Sequence, residues 1–194
     1  MSFNPTILQH PTIPTALHGV NPRSVFGAEW WNFIREESYA KHDGCCHACG
    51  THKSKARFQK RLEAHECYYI CPDTGRVEFK AVVSLCVACH KFIHSGRLFA
   101  LYTKGAVDRN HILYVLSRGF KLLSEHGLEP FWGTKQVWME LNYSGQQLKE
   151  YYNSNGIVVP DSKIAWNDWV MIIDGKEYHS KFKNHNEWYT YYNK

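Results

Sequence analysis

Apolar and polar residues follow two different periods in the first half of the chain. Residues 28–40 carry aromatic and apolar side chains at helical spacing and predict a helix. Residues 62–70 and 76–85 are typical of strands, and the Pro-Asp-Thr-Gly sequence at 72–75 is a turn signal between them. A further helix is expected over 89–95, closed or kinked by Gly96, with 97–103 continuing it. This order predicts a β-hairpin that leads into a helix.

The second half shows mainly helical spacing. Asp108 is placed to cap a helix that runs to His126, and two more helices are expected at 134–141 and 144–152. The Asp174-Gly175 dipeptide, flanked by the segments 169–173 and 176–179, predicts a tight hairpin. The aromatic tail at 182–192 predicts a last helix.

The N-terminal 27 residues are rich in proline and predict an extended arm on the surface. The pattern therefore indicates an α+β protein in three segments. These are the arm at 1–27, a core at 28–105, and a helical extension with a hairpin at 106–194.

Composition narrows the class of protein. No apolar run approaches the ~20 residues that cross a bilayer, and the N-terminus lacks the pattern of a secretory signal. We therefore expect a soluble, cytoplasmic protein without a membrane partner. The net charge of +5 is concentrated between Lys41 and Arg61. This stretch holds six basic residues and a single acidic one, Asp43. Such a patch favours a polyanion such as DNA or RNA, although a solvated loop would show it too.

Seven cysteines, an odd number, argue against a disulfide framework. Four of them form two Cys-x-x-Cys pairs around the predicted hairpin, the spacing of a closed structural zinc site. The expected zinc ligands are Cys46, Cys49, Cys86 and Cys89. Cys45 competes with Cys46, and two coincidental pairs of buried thiols are the alternative. Thiol redox chemistry is disfavoured, since such motifs use one pair at the start of a helix.

Histidines adjoin this cysteine framework. His65 and Glu66 lie in the first predicted strand, while His90 and His94 are four residues apart on one helix face. A hairpin that leads into a helix brings a strand histidine and a helix histidine together, and such a pair can hold a divalent ion at a phosphate. The alternatives are a hydrogen-bonded strand pair for His65 and Glu66, and a packing role for His94, which we favour.

The string Leu85-Cys86-x-x-Cys89-His90-x-x-x-His94, with Cys46-x-x-Cys49 and the 62–66 strand, resembles the HNH, or ββα-metal, endonucleases over residues 30–97. The resemblance implies a zinc-stapled HNH-like core in which His90 and His65 hold a catalytic ion. Glu66 occupies the position of the usual base histidine, a variant similar to HNH-like proteins of bacteria and their viruses. The asparagine expected near residues 80–83 is missing, and shifting the register would place Ala64, which cannot bind metal, at the ligand position.

The resemblance predicts a metal-dependent nuclease with His65, Glu66 and His90 as catalytic residues and Mg²⁺ or another divalent ion as cofactor. Nucleic acid, most simply DNA, is the expected partner. The residues expected to bind its backbone are Lys53, Lys55, Arg57, Lys60, Arg61 and Arg97. The alternative is an inactive module of the same fold that binds nucleic acid or a protein. The C-terminal aromatic residues would serve as a contact surface in that case, and as core otherwise.

Overall fold

A long antiparallel hairpin forms the larger half of the sheet. Strand β1 (Leu62–Cys71) pairs with strand β2 (Arg76–Cys86), in a register that places His65 opposite Val83. Both strands lie where the alternation predicted them, and each extends one residue further. A bulge between Cys67 and Tyr68 shifts the register midway along the hairpin. The four-residue turn at 72–75 joins the strands as expected.

The C-terminal hairpin completes this sheet. Strands β3 (Val170–Ile173) and β4 (Lys176–His179) are antiparallel, and β3 pairs in parallel with β2, giving the order β1-β2-β3-β4. Asp174 and Gly175 both have positive φ angles, which is the conformation that a two-residue hairpin turn requires. The sheet therefore spans the predicted boundary between residues 105 and 106.

The computed structural model describes residues 3–143, 146–147 and 164–192, and the helix expected at 144–152 lies almost wholly outside them. Within this part the fold is mixed α+β, with six α-helices and one four-stranded sheet. The helices are α1 (Pro22–Lys41), α2 (Val87–Ile93), α3 (Ser95–Thr103), α4 (Arg109–Ser124), α5 (Trp132–Asn142) and α6 (His185–Tyr192). None of these helices is long and apolar enough to pass through a membrane.

The N-terminal arm is less extended than its prolines suggested. Short 3₁₀ helices occupy Pro5–Gln9 and Thr15–Leu17, and α1 begins at Pro22 rather than at residue 28. Asn21 and Ser24 form a reciprocal capping box there, and proline is favourable in a first helical turn. Gly27, with φ of 87°, then kinks the helix, which explains why the sequence pattern indicated a later start.

The helix after the second cysteine pair is broken at His94, two residues before Gly96. His94 has non-helical angles (φ −91°, ψ 42°) and separates α2 from α3. Helix α4 begins after Asp108, whose side chain accepts a hydrogen bond from the His111 amide, as the capping pattern predicted.

Two apolar clusters hold the elements together. The larger surrounds α2 and α4, and the smaller contains Leu17, Val77, Trp169, Met171 and Ile173. Phe92 on α2 is fully buried against α4, where Gly119 has no side chain; a Cβ there would lie 2.1 Å from the Phe92 ring. This close approach fixes α2, which carries residues of both candidate metal sites.

The C-terminal aromatic residues divide between core and surface. Trp169 is buried, and Trp166 and Trp188 are half-buried. The tyrosines at 189, 191 and 192 on α6 are exposed.

Candidate metal centres

The first cysteine pair lies in a tight knuckle. The Cys46 amide donates to the Thr51 carbonyl, and the Gly50 amide donates to the Cys46 carbonyl across the turn. Gly50 has φ of +69°, a conformation that glycine adopts without strain. The knuckle is tied to the end of β2 because the His47 amide donates to the Ser84 carbonyl at 2.7 Å and the Ser84 hydroxyl to the Cys45 carbonyl at 2.9 Å.

The second pair spans the junction of strand and helix. Cys86 ends β2, and Cys89 lies in the first turn of α2. The Sγ atoms of Cys46, Cys49, Cys86 and Cys89 all lie within 4.8 Å of one another. Four thiolates in a closed shell are the ligand set of structural zinc sites. The four side chains therefore form a cluster that can hold a metal ion, and they are the residues that the sequence indicated.

Positive charge adjoins this cluster. Arg118 on α4 lies with Nη2 3.5 Å from Cys49 Sγ and donates to the Thr51 hydroxyl at 3.0 Å. Hydrogen bonds from the Cys46, Cys86 and Cys89 thiols hold the pKa of Cys49 well below its usual value. Arg118 thus offsets part of the negative charge that four thiolates leave around a divalent ion.

The remaining cysteines lie outside the cluster. Cys45, the competitor of Cys46, directs its Sγ to the Asp43 carbonyl at 3.7 Å. Cys67 and Cys71 lie on β1, away from both knuckles. His47 and His52 stay near the first knuckle, where His52 caps a short 3₁₀ turn by accepting from the Ser54 amide.

A second cluster consists of three imidazoles. His65 on β1, His90 on α2 and His94 at the α2–α3 break have ligating nitrogens within 4.8 Å of one another. His65 is only 3% exposed, whereas His94 faces solvent. The hairpin and the helix that follows it therefore bring together two of the predicted catalytic residues, His65 and His90, and add His94.

His65 is the most unusual member of the cluster. It is buried, yet neither of its ring nitrogens has a hydrogen-bond partner among the described residues. Burial and the neighbouring His90, His94 and His10 lower its pKa to about 2, and burial with His90 lowers the pKa of His94 to about 4. Both imidazoles are therefore neutral near pH 7, the form that binds metal. Buried polar atoms are nearly always paired, so an ion that His65 ligates would satisfy an otherwise costly arrangement.

Glu63 orients the ring of His90. It lies two residues before His65 and so on the same face of β1, where its Oε2 accepts from His90 Nδ1 at 2.8 Å. The His90 hydrogen bond lowers the pKa of Glu63 to about 2, so the group is a carboxylate. Since His90 donates through Nδ1, its Nε2 retains a lone pair for an ion. A carboxylate behind a ligating histidine is the usual outer partner of a metal site.

Glu66, the third predicted catalytic residue, lies on the other face of β1. Successive strand residues point to opposite faces, and Glu66 follows His65 directly with no bulge between them. Burial raises its pKa, while the nearby charges of His90 and of Arg23 on α1 act in the opposite direction. The structure therefore brings His65 and His90 together without Glu66.

The N-terminal segment covers the inner side of the histidine cluster. His10 packs edge-on to His65 with ring centroids 5.2 Å apart. Its Nε2 accepts from the Tyr68 amide at 2.8 Å, beside the bulge in β1. The cluster is therefore closed on the His10 side and open at His94.

The predicted basic patch is a loop between the first knuckle and β1. The residues predicted to bind nucleic acid are all exposed, namely Lys53, Lys55, Arg57, Lys60, Arg61 and, on α3, Arg97. Arg61 pairs with Glu63 at 3.1 Å and so connects the loop to the histidine cluster.

No protein-family model matches the chain, and no curated protein and no solved structure matches it either.

Two residues of the histidine cluster were not assigned to it from the sequence. His94 shares a face with His90, but a packing role was favoured because a histidine four residues along a helix is common. Glu63 could have been found from the two-residue period of β1, which places it on the face of His65.

Proposed function

We propose that the chain is an HNH-like, metal-dependent nuclease that cleaves phosphodiester bonds at the histidine cluster. One observation carries the proposal: His65 is buried with both ring nitrogens unpaired, against His90 and His94 and beside an anionic Glu63. The large majority of buried side-chain polar atoms have a hydrogen-bond partner, so a ring with both nitrogens unpaired favours a bound ion over simple packing.

The order of elements supports the HNH-like assignment. Strands β1 and β2 are followed directly by α2, and the cysteine cluster joins the knuckle that precedes β1 to the β2–α2 junction. Cys89 and His90 are consecutive, so the first turn of α2 contributes a candidate ligand to each of the two sites. The proposed ligands of the catalytic ion are His65, His90 and His94.

The ligand set favours a particular class of ion. Mg²⁺ prefers oxygen ligands and retains its waters, whereas imidazole suits zinc and the other later transition metals. We therefore place a transition-metal ion here rather than Mg²⁺, with zinc at the cysteine cluster. A divalent ion in such a site supplies a Lewis acid that polarises a phosphate and activates water.

The protein's own residues would then position the substrate. Glu63 holds the His90 ring so that Nε2 faces the cluster, and His10 excludes water from the inner side. Arg97, whose charge acts on His94, and Arg61, which pairs with Glu63, are both exposed and suit the phosphate backbone. Glu66 has no proposed part in proton transfer because it lies on the other strand face.

A cleavage assay tests this function. Wild-type protein is incubated with supercoiled plasmid and with single-stranded DNA and RNA in Mn²⁺, Co²⁺, Ni²⁺, Zn²⁺ or Mg²⁺. We expect cutting with a transition metal, and its loss in His90→Ala and His65→Ala. His179→Ala, an exposed histidine on β4, is the matched control and should cut like wild type.

The alternative function is an inactive binding module of the same fold. The position of Glu66 favours it, because the residue at the usual base position lies on the strand face opposite His65. A folded, zinc-loaded protein that binds nucleic acid but cuts no substrate with any of these ions would establish this alternative.

A further inference from the structure

One aromatic residue in the basic loop has a backbone conformation that such residues rarely adopt. Phe58 has φ of 76° and exposes 36% of its surface. Among the described residues the other non-glycine positions with positive φ are Asp43 and Asp174, and aspartate tolerates this region far better than a bulky side chain. The loop thus holds an aromatic ring at the surface at a conformational cost.

Two residues of α4 pack against the Phe58 ring. Phe58 stacks on His111 with centroids 3.9 Å apart and planes 14° from parallel. The Tyr114 ring packs at a right angle to the Phe58 ring, with centroids 5.5 Å apart. These contacts fix the orientation of Phe58 while part of its ring stays exposed.

Two cations flank the ring. The Arg57 guanidinium lies over Tyr114 at 4.0 Å and 5.7 Å from the Phe58 centroid. Lys91 Nζ lies 5.6 Å from the Phe58 centroid and donates to His111 Nε2 at 2.9 Å. An aromatic surface between fixed cations is the arrangement that binds a nucleobase and its adjoining phosphates.

This platform is close to the histidine cluster. Lys91 follows His90 directly on α2, and Arg61, three residues after Phe58, pairs with the Glu63 that holds His90. In the described part of the chain, Arg61 is the only basic residue of the 53–61 loop within ion-pair distance of a carboxylate. The other cations of the loop remain free of acidic partners and suit a polyanion.

We propose that Phe58 is a stacking platform for an unpaired nucleobase, with Arg57 and Lys91 contacting the neighbouring phosphates. The bases of a duplex are stacked on one another and offer no free face to such a ring, so the substrate is a single strand or an unpaired segment. This inference rests on the proposed function for its location beside the catalytic site, but base stacking is measured without cleavage.

The test is equilibrium binding by fluorescence anisotropy. Protein with one equivalent of zinc and no other divalent ion is titrated into labelled oligo-dT, oligo-U and a hairpin duplex of matched length. We compare wild type with Phe58→Ala, Phe58→Leu and Phe58→Trp, and use Phe131→Ala, 39% exposed at the start of α5, as the matched control.

We expect Phe58→Ala and Phe58→Leu to weaken single-strand binding about tenfold, the effect of losing one stacked base. Phe58→Trp should bind at least as tightly as wild type, and Phe131→Ala should be unchanged. Arg57→Ala should lower the salt dependence of binding, whereas Phe58→Ala should not, because stacking releases no counterions. Phe58→Leu retains an apolar side chain, so its loss of binding would not reflect a collapsed loop.

The labelled oligo-dT and oligo-U strands distinguish the two sources of unpaired bases, DNA and RNA. Tighter binding of oligo-dT or of oligo-U identifies DNA or RNA as the partner. Equal affinity of all Phe58 variants for single strands, or preference for the duplex, would overturn the platform. A protein that binds through Phe58 but never cuts would refute the nuclease and leave the platform standing.

Discussion

The cysteine cluster and the histidine cluster adjoin each other on α2, yet they differ in ligand type, ligand number and exposure. Cys89 and His90 are consecutive, and a helix turns by about 100° per residue, so one side chain enters the core and the next faces the strand surface. The cysteine cluster is closed, with four thiols and three of its members buried. The histidine cluster has three ligands, a carboxylate behind one of them, and an open side at His94. Closed four-ligand sites are structural, and three-ligand sites with an open position perform chemistry.

The largest effect is expected from removing one cysteine ligand. Cys89→Ala should abolish stable folding, because the ~10–16 kcal/mol that structural zinc contributes matches the whole stability of an ordinary domain. Metal content and thermal unfolding by circular dichroism measure this. Cys45→Ala, which lies outside the cluster, should retain its metal and its melting temperature. A folded Cys89→Ala protein with wild-type stability would refute the structural role.

The next largest effect concerns the helix that both clusters share. Gly119→Ala places a Cβ against the buried Phe92 ring, and overpacking of this kind costs about 1–3 kcal/mol. We expect a lower free energy of unfolding in chemical denaturation, together with weaker metal binding at both clusters. Gly127→Ala would be a poor control because of its positive φ, so Gly96→Ala, where a Cβ meets open space, is used. Unchanged stability of Gly119→Ala would show that α2 is not fixed in this way.

The Glu63→Gln substitution distinguishes the two clusters, because it should weaken metal binding at the histidine cluster only. Losing an outer carboxylate partner typically weakens metal affinity about 10- to 100-fold, and here the loss should be confined to the histidine cluster. Isothermal titration with Ni²⁺ or Co²⁺ on zinc-loaded protein measures the affinity. Glu78→Gln, a half-buried acid on β2 that pairs with Lys80, serves as the control. Equal affinity in Glu63→Gln and wild type would remove Glu63 from the site.

The smallest effect is a pH dependence that arises at His65. Its pKa falls from about 6.5 in the unfolded chain to about 2 in the folded protein. As the pH drops below about 6.5, the unfolded chain takes up a proton that folded His65 does not, so stability is lost on acidification. The slope is at most about 1.4 kcal/mol per pH unit.

Comparison of wild type with His65→Gln isolates the contribution of His65 to the pH dependence of the free energy of unfolding, since Gln does not titrate. Denaturation of zinc-loaded protein between pH 7 and pH 5.5, without other divalent ions, should show a steeper loss in wild type than in the variant. Parallel curves would mean that His65 is protonated in the folded state.

Local patterns predicted much of the fold. Alternation located β1 and β2 to within one residue, and Asp108 and Asp174-Gly175 marked a helix start and a turn because each acts on its own neighbours. The parallel pairing of β2 with β3 was not predicted, since it joins segments about ninety residues apart that no local pattern connects. The capping box at Asn21 was not predicted, because its partner Ser24 takes the place of the Glu or Gln of the usual signature.

The candidate site was predictable where spacing alone decides geometry. Two Cys-x-x-Cys turns around a hairpin bring four thiols together whatever surrounds them. The histidine cluster depends also on strand faces and on the break at His94. Spacing indicated His65 and His90, whereas Glu66, which was assigned from the resemblance, lies on the other face of β1. Phe58 gave no signal because its ring packs on His111 of α4, about fifty residues further along the chain, and no local pattern connects the two.

The most direct test of two distinct metal sites is the metal stoichiometry of the purified protein. Wild type, His94→Ala and His179→Ala are equilibrated with Zn²⁺ and Co²⁺, freed of unbound ions, and measured by mass spectrometry for metal per chain. We predict two ions per chain for wild type and His179→Ala, and one for a still-folded His94→Ala. A single ion in all three proteins would contradict the histidine site and, with it, the proposed nuclease.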